Sequence, residues 1–163
     1  MNIKDNIDTI EKQIEDPLVG LPDEVFCFIS KLTPMVNVDL LIKDENGRTL
    51  LAWRNDPFSK QGWHLPGGIV RFKESLENRV EKVAQTEIGV EVDFDPIPID
   101  FNEIISEHNV RGHFLSFLYK CSLSGSFIPS NEELSKDEQG YLMWHDVCPQ
   151  NLIKVHEIYR KYI

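Results

Sequence analysis

The chain has 163 residues, 41% hydrophobic and 27% charged, and 17 Lys and Arg against 27 Asp and Glu leave a formal net charge of −10 at pH 7. That length suits one domain built on one core, and apolar runs such as 25–29 and 114–119 are far too short to span a bilayer. With no basic stripe interleaved with aromatics, the acidic balance argues against nucleic acid as a partner; it leaves room for a small phosphorylated ligand held through local cations or a divalent metal.

Residues 1–16 mix charges with isoleucines and lack the basic, apolar and cleavage segments of a signal peptide, so a cytoplasmic protein is expected. Ile3, Ile7, Ile10 and Ile14 share one face of an amphipathic helix, expected to pack on its own domain, with a dimer contact as the alternative. Residues 1–30 thus read as an amphipathic helix and connector, and 31–163 as the main domain. Cys27, Cys121 and Cys148 are far apart and odd in number, which fits buried thiols better than disulfides or zinc.

From Val36 the period becomes two, with Val38, Leu40 and Ile42 alternating with Asn37, Asp39 and Leu41. Turn residues 44–47 and a second strand, 49–54, complete a hairpin. A polar loop, 55–61, leads to Trp63, Pro66 and the pair Gly67-Gly68. A helix is expected over 75–88, capped by Ser75, stopped by Gly89 and carrying Leu76, Val80, Val83 and Ala84 on one side. Strands are expected at 91–94, 97–105, 113–121 and 141–144, and a closing helix at 150–162. The order implies an α/β fold, a mixed sheet sandwiched between helices.

One residue does not fit a core. Glu87 projects into the apolar stripe of its helix, in the last turn, where both burial and the helix dipole disfavour negative charge. A cation should meet it, either an Arg or Lys or a bound divalent metal. Gly67-Gly68 lets backbone approach a ligand closely, so the two features together form a candidate metal and phosphate cradle.

Residues 68–90, GIVRFKESLENRVEKVAQTEIGV, resemble the Nudix box, G-x5-E-x7-R-E-U-x-E-E-x-G-U, matching at Gly68, Glu74, Glu87, Gly89 and Val90. Lys82 and Ala84 are near misses, while Val83 and Thr86 stand where the family carries metal-holding glutamates. That departure, together with VNVDLLIKDENGRTLLAWRNDP (36–57) and QGWHLPGG (61–68), is similar to the GDP-mannose mannosyl hydrolase branch, whose members release a sugar by attack at carbon. The resemblance implies a Nudix-type α/β/α sandwich with a mixed sheet, a nucleotide-sugar substrate, Mg²⁺ with Mn²⁺ as the alternative, and a homodimer.

Carried over residue by residue, the resemblance implies Asp39 and Arg54 as substrate contacts, Glu87 as the metal-binding glutamate and Gly67 as a carbonyl ligand. Glu138 and Gln139 take the places of a metal-binding glutamine and a catalytic histidine, and an amide cannot accept a proton from water near neutral pH. Ile69 replaces an expected arginine, for which Arg71 substitutes; Phe114 replaces a tyrosine. His108 matches a family histidine, and Glu107 and His113 are further candidate bases, whereas His145 and His156 read as surface residues. Trp53, Trp63 and Trp144 read as core. Three activities stay open: sugar release, with metal on Gly67, Glu87 and Glu138; pyrophosphatase action, with Glu74 and Glu87 as ligands; and nucleotide or sugar binding without catalysis.

Overall fold

The computed structural model describes residues 2–57 and 60–163. Residue 1 of the N-terminal segment and residues 58 and 59 of the polar loop lie outside the described residues. Two helices come first, α1 (Ile3–Glu11) and α2 (Asp23–Ser30). Asn2 and Asp5 cap α1 reciprocally, each side chain accepting from the other's backbone N–H. The expected packing of the isoleucine face on its own domain does not occur: Ile3, Ile7 and Ile10 are 78%, 49% and 37% exposed.

Among the described residues eight strands form one mixed sheet: β1 (Met35–Lys43), β2 (Thr49–Arg54), β3 (Gly62–His64), β4 (Gly67–Ile69), β5 (Asp93–Phe94), β6 (Asp100–Ile105), β7 (His113–Ser122) and β8 (Leu142–His145). Its main path runs β3-β2-β1-β7-β5, with β4 beside β1, β6 beside β7 and β8 beside β2. β1 and β7 run parallel from Met35 opposite Phe114 to Lys43 opposite Ser122, and the other pairs are antiparallel. The strands expected at 91–94 and 97–105 begin late, at Asp93 and Asp100. Pro96 and Pro98 lie between them and have no N–H to give a ladder.

β1 is buried on both faces, as suits a strand in the middle of a covered sheet. Val38, Leu40 and Ile42 pack with Val80 and Val83 of α3 (Leu76–Val83), while Leu41 joins Leu51, Trp63, Leu65 and Tyr159 in a second cluster. These two cores, one on each face, make the α/β/α sandwich. Trp63 is buried in the second core, where the half-buried Trp53 packs against it, and Trp144 borders the first. Cys121 is buried; Cys27 and Cys148 are half-buried free thiols.

Ser75 caps α3 by accepting from the Asn78 N–H at 3.1 Å. After Val83 the helix widens into a π turn, Ala84–Ile88, and Gly89 closes it at φ 83° with its N–H on the Ala84 carbonyl. Ile88 thereby fills the core, 5% exposed, while Glu87 lies half-buried. The closing helix expected over 150–162 is instead a 3₁₀ helix, Lys154–Tyr159. Trp63 bonds both Asn151 and Ile153 through backbone at 2.9 Å, so the start of the segment continues the sheet and leaves only a short run to coil.

Candidate functional site

A cavity of about 350 Å³ opens where β1, β2 and β4 meet the π turn and the 3₁₀ helix. That is an ordinary size for a small-molecule site. Of the residues singled out in the sequence, Asp39, Arg54, Gly67, Arg71, Glu87 and Gln139 line it, and so do Ile69 and Phe114.

Glu87 reaches the cavity from the π turn. Burial pushes its carboxyl up to about 7, against a backbone hydrogen bond from Gly67 and the charge of Arg54, with Asp39 pushing further up. β4 meets β1 with Gly67 opposite Asp39, and a Cβ on Gly67 would lie 2.4 Å from Asp39 Oδ1. Only glycine fits that approach. A Cβ on Gly68 would lie 2.8 Å from Val83 Cγ2, so the second glycine lets α3 close on the sheet.

Asp39 is 2% exposed and fully engaged. Its Oδ2 accepts from Ser116 Oγ at 2.5 Å and Tyr159 Oη at 2.8 Å, and its Oδ1 from Asn37 Nδ2 at 3.0 Å. Burial raises its pKa, opposed by those hydrogen bonds. His156 Nδ1 accepts from the Leu65 N–H at 3.1 Å, which leaves the ring proton on Nε2, 3.7 Å from Asp39 Oδ1. Burial lowers His156 and His64 to about 3, so both rings are neutral. His156 is therefore a buried residue of the site, contrary to the surface reading. His145 is half-buried too, its ring 4.5 Å from that of Trp63.

Three sequence-derived candidates lie off the cavity. Glu74, 2% exposed, accepts from the Arg71 N–H at 2.9 Å and pairs with Arg79 at 2.6 Å and Lys82 at 3.1 Å; it anchors the loop before α3 and does not face the site. Glu138 is exposed and folds back on the Ser135 hydroxyl and backbone N–H. His108 Nδ1 accepts from the N–H groups of Val110 at 3.1 Å and Arg111 at 2.9 Å, closing a turn. Of the other candidate bases, Glu107 is exposed and His113 pairs with Glu103 at 3.1 Å, both outside the cavity. Gln139 sits at the rim, its Oε1 accepting from the Asn55 N–H at 2.6 Å.

Arg111, His64 and His156 join the lining without having been singled out for it, as do Leu21, Asp23 and Phe26 from the segment before β1. Arg111 gave no pattern to read, standing in a turn between strands. Arg54, Arg71 and Arg111 bring three guanidinium groups to a wall that also carries Asp23, Asp39 and Glu87, and Arg54 pairs with Asp56 at 2.5 Å; guanidinium forks are the donors that a diphosphate needs.

The donor set also fits a hard divalent cation. Glu87 and the Gly67 backbone face one space, and burial holds the Glu87 carboxyl up at about 7. Among the described residues no group of three or more His, Cys, Asp or Glu is placed to hold a metal. A cation here would complete its shell with water and ligand phosphates, the habit of Mg²⁺ rather than Zn²⁺. Among the described residues no helix is long and apolar enough to cross a membrane.

The NUDIX domain family matches residues 33–162. The low-salt glycan biosynthesis protein Agl8 of Haloferax volcanii is 30% identical over 115 residues, 68% of this chain and 73% of that protein. A Methanocaldococcus jannaschii protein named ADP-ribose pyrophosphatase is 26% identical over 107 residues, 66% of this chain and 62% of its own length. In structure, the MutT NUDIX hydrolase from Burkholderia pseudomallei superposes with a TM-score of 0.63 at 24% identity, covering 80% of this chain and 98% of that one.

Proposed function

The chain belongs to the Nudix hydrolase family, and on that premise we propose that it hydrolyses a nucleoside diphosphate sugar with Mg²⁺, releasing nucleoside diphosphate and free sugar. Water attacks the anomeric carbon and gives up a proton to solvent, the bond from that carbon to the phosphate oxygen breaks, and the diphosphate leaves with the electron pair. Glu87 and the Gly67 backbone would hold the metal, which when bound would supply positive charge to offset that of the departing diphosphate. Arg54, Arg71 and Arg111 bind and orient the diphosphate, and the buried Asp39 holds Asn37, Ser116 and Tyr159 in place behind the site.

The observation that carries this reading is the contrast within the Nudix-box segment. Glu87 enters a cavity ringed by arginines, whereas Val83, 2% exposed, belongs to the core and Thr86 faces solvent, its hydroxyl on the Lys82 carbonyl at 2.7 Å. A site short of carboxylates can stabilise a leaving diphosphate more readily than it can activate water at phosphorus. The glycan-related relative supports a sugar substrate. The relative named ADP-ribose pyrophosphatase favours a second reading, cleavage between the phosphates.

Incubation with GDP-mannose, other nucleotide sugars and ADP-ribose, with and without Mg²⁺, separates the readings by product. Free sugar and nucleoside diphosphate are expected, with kcat/KM lowered at least about 100-fold in Glu87→Gln, equivalent to about 3 kcal/mol of transition-state stabilisation. Sugar phosphate and nucleoside monophosphate would establish the pyrophosphatase instead. Binding with no turnover across the panel would mark a domain that recognises its ligand without hydrolysing it.

A further inference from the structure

The segment before β1 lies outside the matched domain, yet it walls the cavity. Leu21 lines it from just before α2 and Phe26 from the middle of that helix. Two of the three cavity arginines rest on the same segment. The Arg71 guanidinium lies beside Gly20, where a Cβ would meet its nitrogen in ordinary van der Waals contact at 3.6 Å. The Arg111 guanidinium lies over the Phe26 ring with Cζ 5.4 Å from its centroid.

Phe26 and Arg111 thus form a layered pair, an aromatic ring backing a planar cation, with the half-buried Phe114 also on the cavity wall. Flat π surfaces of this kind suit a planar heterocycle. The same guanidinium can stack and carry charge, so one residue can join the planar group to the phosphates.

We propose that α2 is a substrate-specificity element, in which Phe26, backing Arg111, forms the subsite for the nucleobase of the ligand. This rests on the reading of the cavity as a nucleoside diphosphate site. It assigns to the segment before residue 33 a share in holding the nucleobase, together with Arg111 of the matched domain.

The test is equilibrium binding to the full chain, by calorimetry with Mg²⁺, of GDP, ADP, UDP and CDP, with inorganic pyrophosphate as the ligand that has no base. Wild type should bind its preferred nucleoside diphosphate more tightly than pyrophosphate. Phe26→Ala should weaken that nucleotide roughly ten-fold, the usual effect of losing one stacking partner, and leave pyrophosphate within about two-fold. Phe26→Tyr, which keeps the ring, should bind as wild type does and so controls for misfolding. Equal weakening of nucleotide and pyrophosphate in Phe26→Ala, or no change in either, would overturn the subsite while leaving the diphosphate reading intact. If wild type binds pyrophosphate and nucleotides equally, the subsite also falls; if it binds neither, both readings fall together.

Discussion

Glu87 shows how one side chain sets the conditions under which the site works. Its carboxyl, pushed up to about 7 by burial, is protonated in the folded protein over a range where the unfolded chain, at 4.5, is already ionised. The folded state therefore binds the extra proton between those values, and the stability this confers is lost as pH rises through about 7. A divalent cation bound as proposed would compete for the same oxygens. Apparent Mg²⁺ affinity should rise about ten-fold per unit from pH 5.5 towards 7 and level off above it, and Glu87→Gln should abolish the dependence, both read by calorimetry. A flat profile in the wild type would mean that the cation does not bind Glu87. The wrong-face position of Glu87 was legible in the sequence because it breaks a helical pattern. Glu74 sits at the spacing the family motif asks for, yet its oxygens meet Arg79 and Lys82. Spacing along a chain cannot show which partner a carboxylate has taken.

The elements differ in how openly they declare themselves. β1 and β2 were readable because period-two patterning and a turn at 44–47 specify a hairpin whatever surrounds it. α3 was readable from its cap and apolar face, while the π turn after it has no pattern of its own. The C-terminal segment defeats the helical reading because its geometry is set by what it covers. In a 3₁₀ helix residues three apart eclipse, and this brings His156 and Tyr159 together onto Asp39, where a longer α-helix would splay them. The 3₁₀ helix thus completes the site as well as the core. Tyr159→Phe removes a hydrogen bond to a buried carboxylate and should cost about 1–3 kcal/mol in urea unfolding at pH 8. The hydroxyl stabilises the ionised form, so its loss raises the folded-state pKa of Asp39 further. The cost should therefore shrink as pH falls through that raised value and the carboxyl protonates. A cost that stays constant at every pH at which the protein remains folded would show that the hydroxyl does not act through the Asp39 charge.

Taken as a whole, the molecule gathers three arginines at one cavity of an acidic chain and leaves apolar faces uncovered. The net charge of −10 says nothing of where the arginines converge, because Arg54, Arg71 and Arg111 are brought together only by the fold. The N-terminal segment was legible as an amphipathic helix and illegible as a wall of the site: Phe26 faces the cavity from α2, not from the isoleucine helix that drew attention. That isoleucine face remains bare, and on the far side of β6 Phe101 and Ile105 are 53% and 72% exposed. Bare apolar area on this scale marks an association surface. A homodimer, the assembly suggested by the family resemblance, covers such faces most simply, because a two-fold axis buries the same patch on both copies. Sedimentation equilibrium at micromolar concentration should give twice the monomer mass. Ile7→Asp and Phe101→Asp, made separately, identify the face: the substitution on the interface should yield a monomer with unchanged far-ultraviolet circular dichroism, and the other should leave the dimer intact. A wild-type protein that sediments as a monomer would refute the assembly and assign those faces to a different partner.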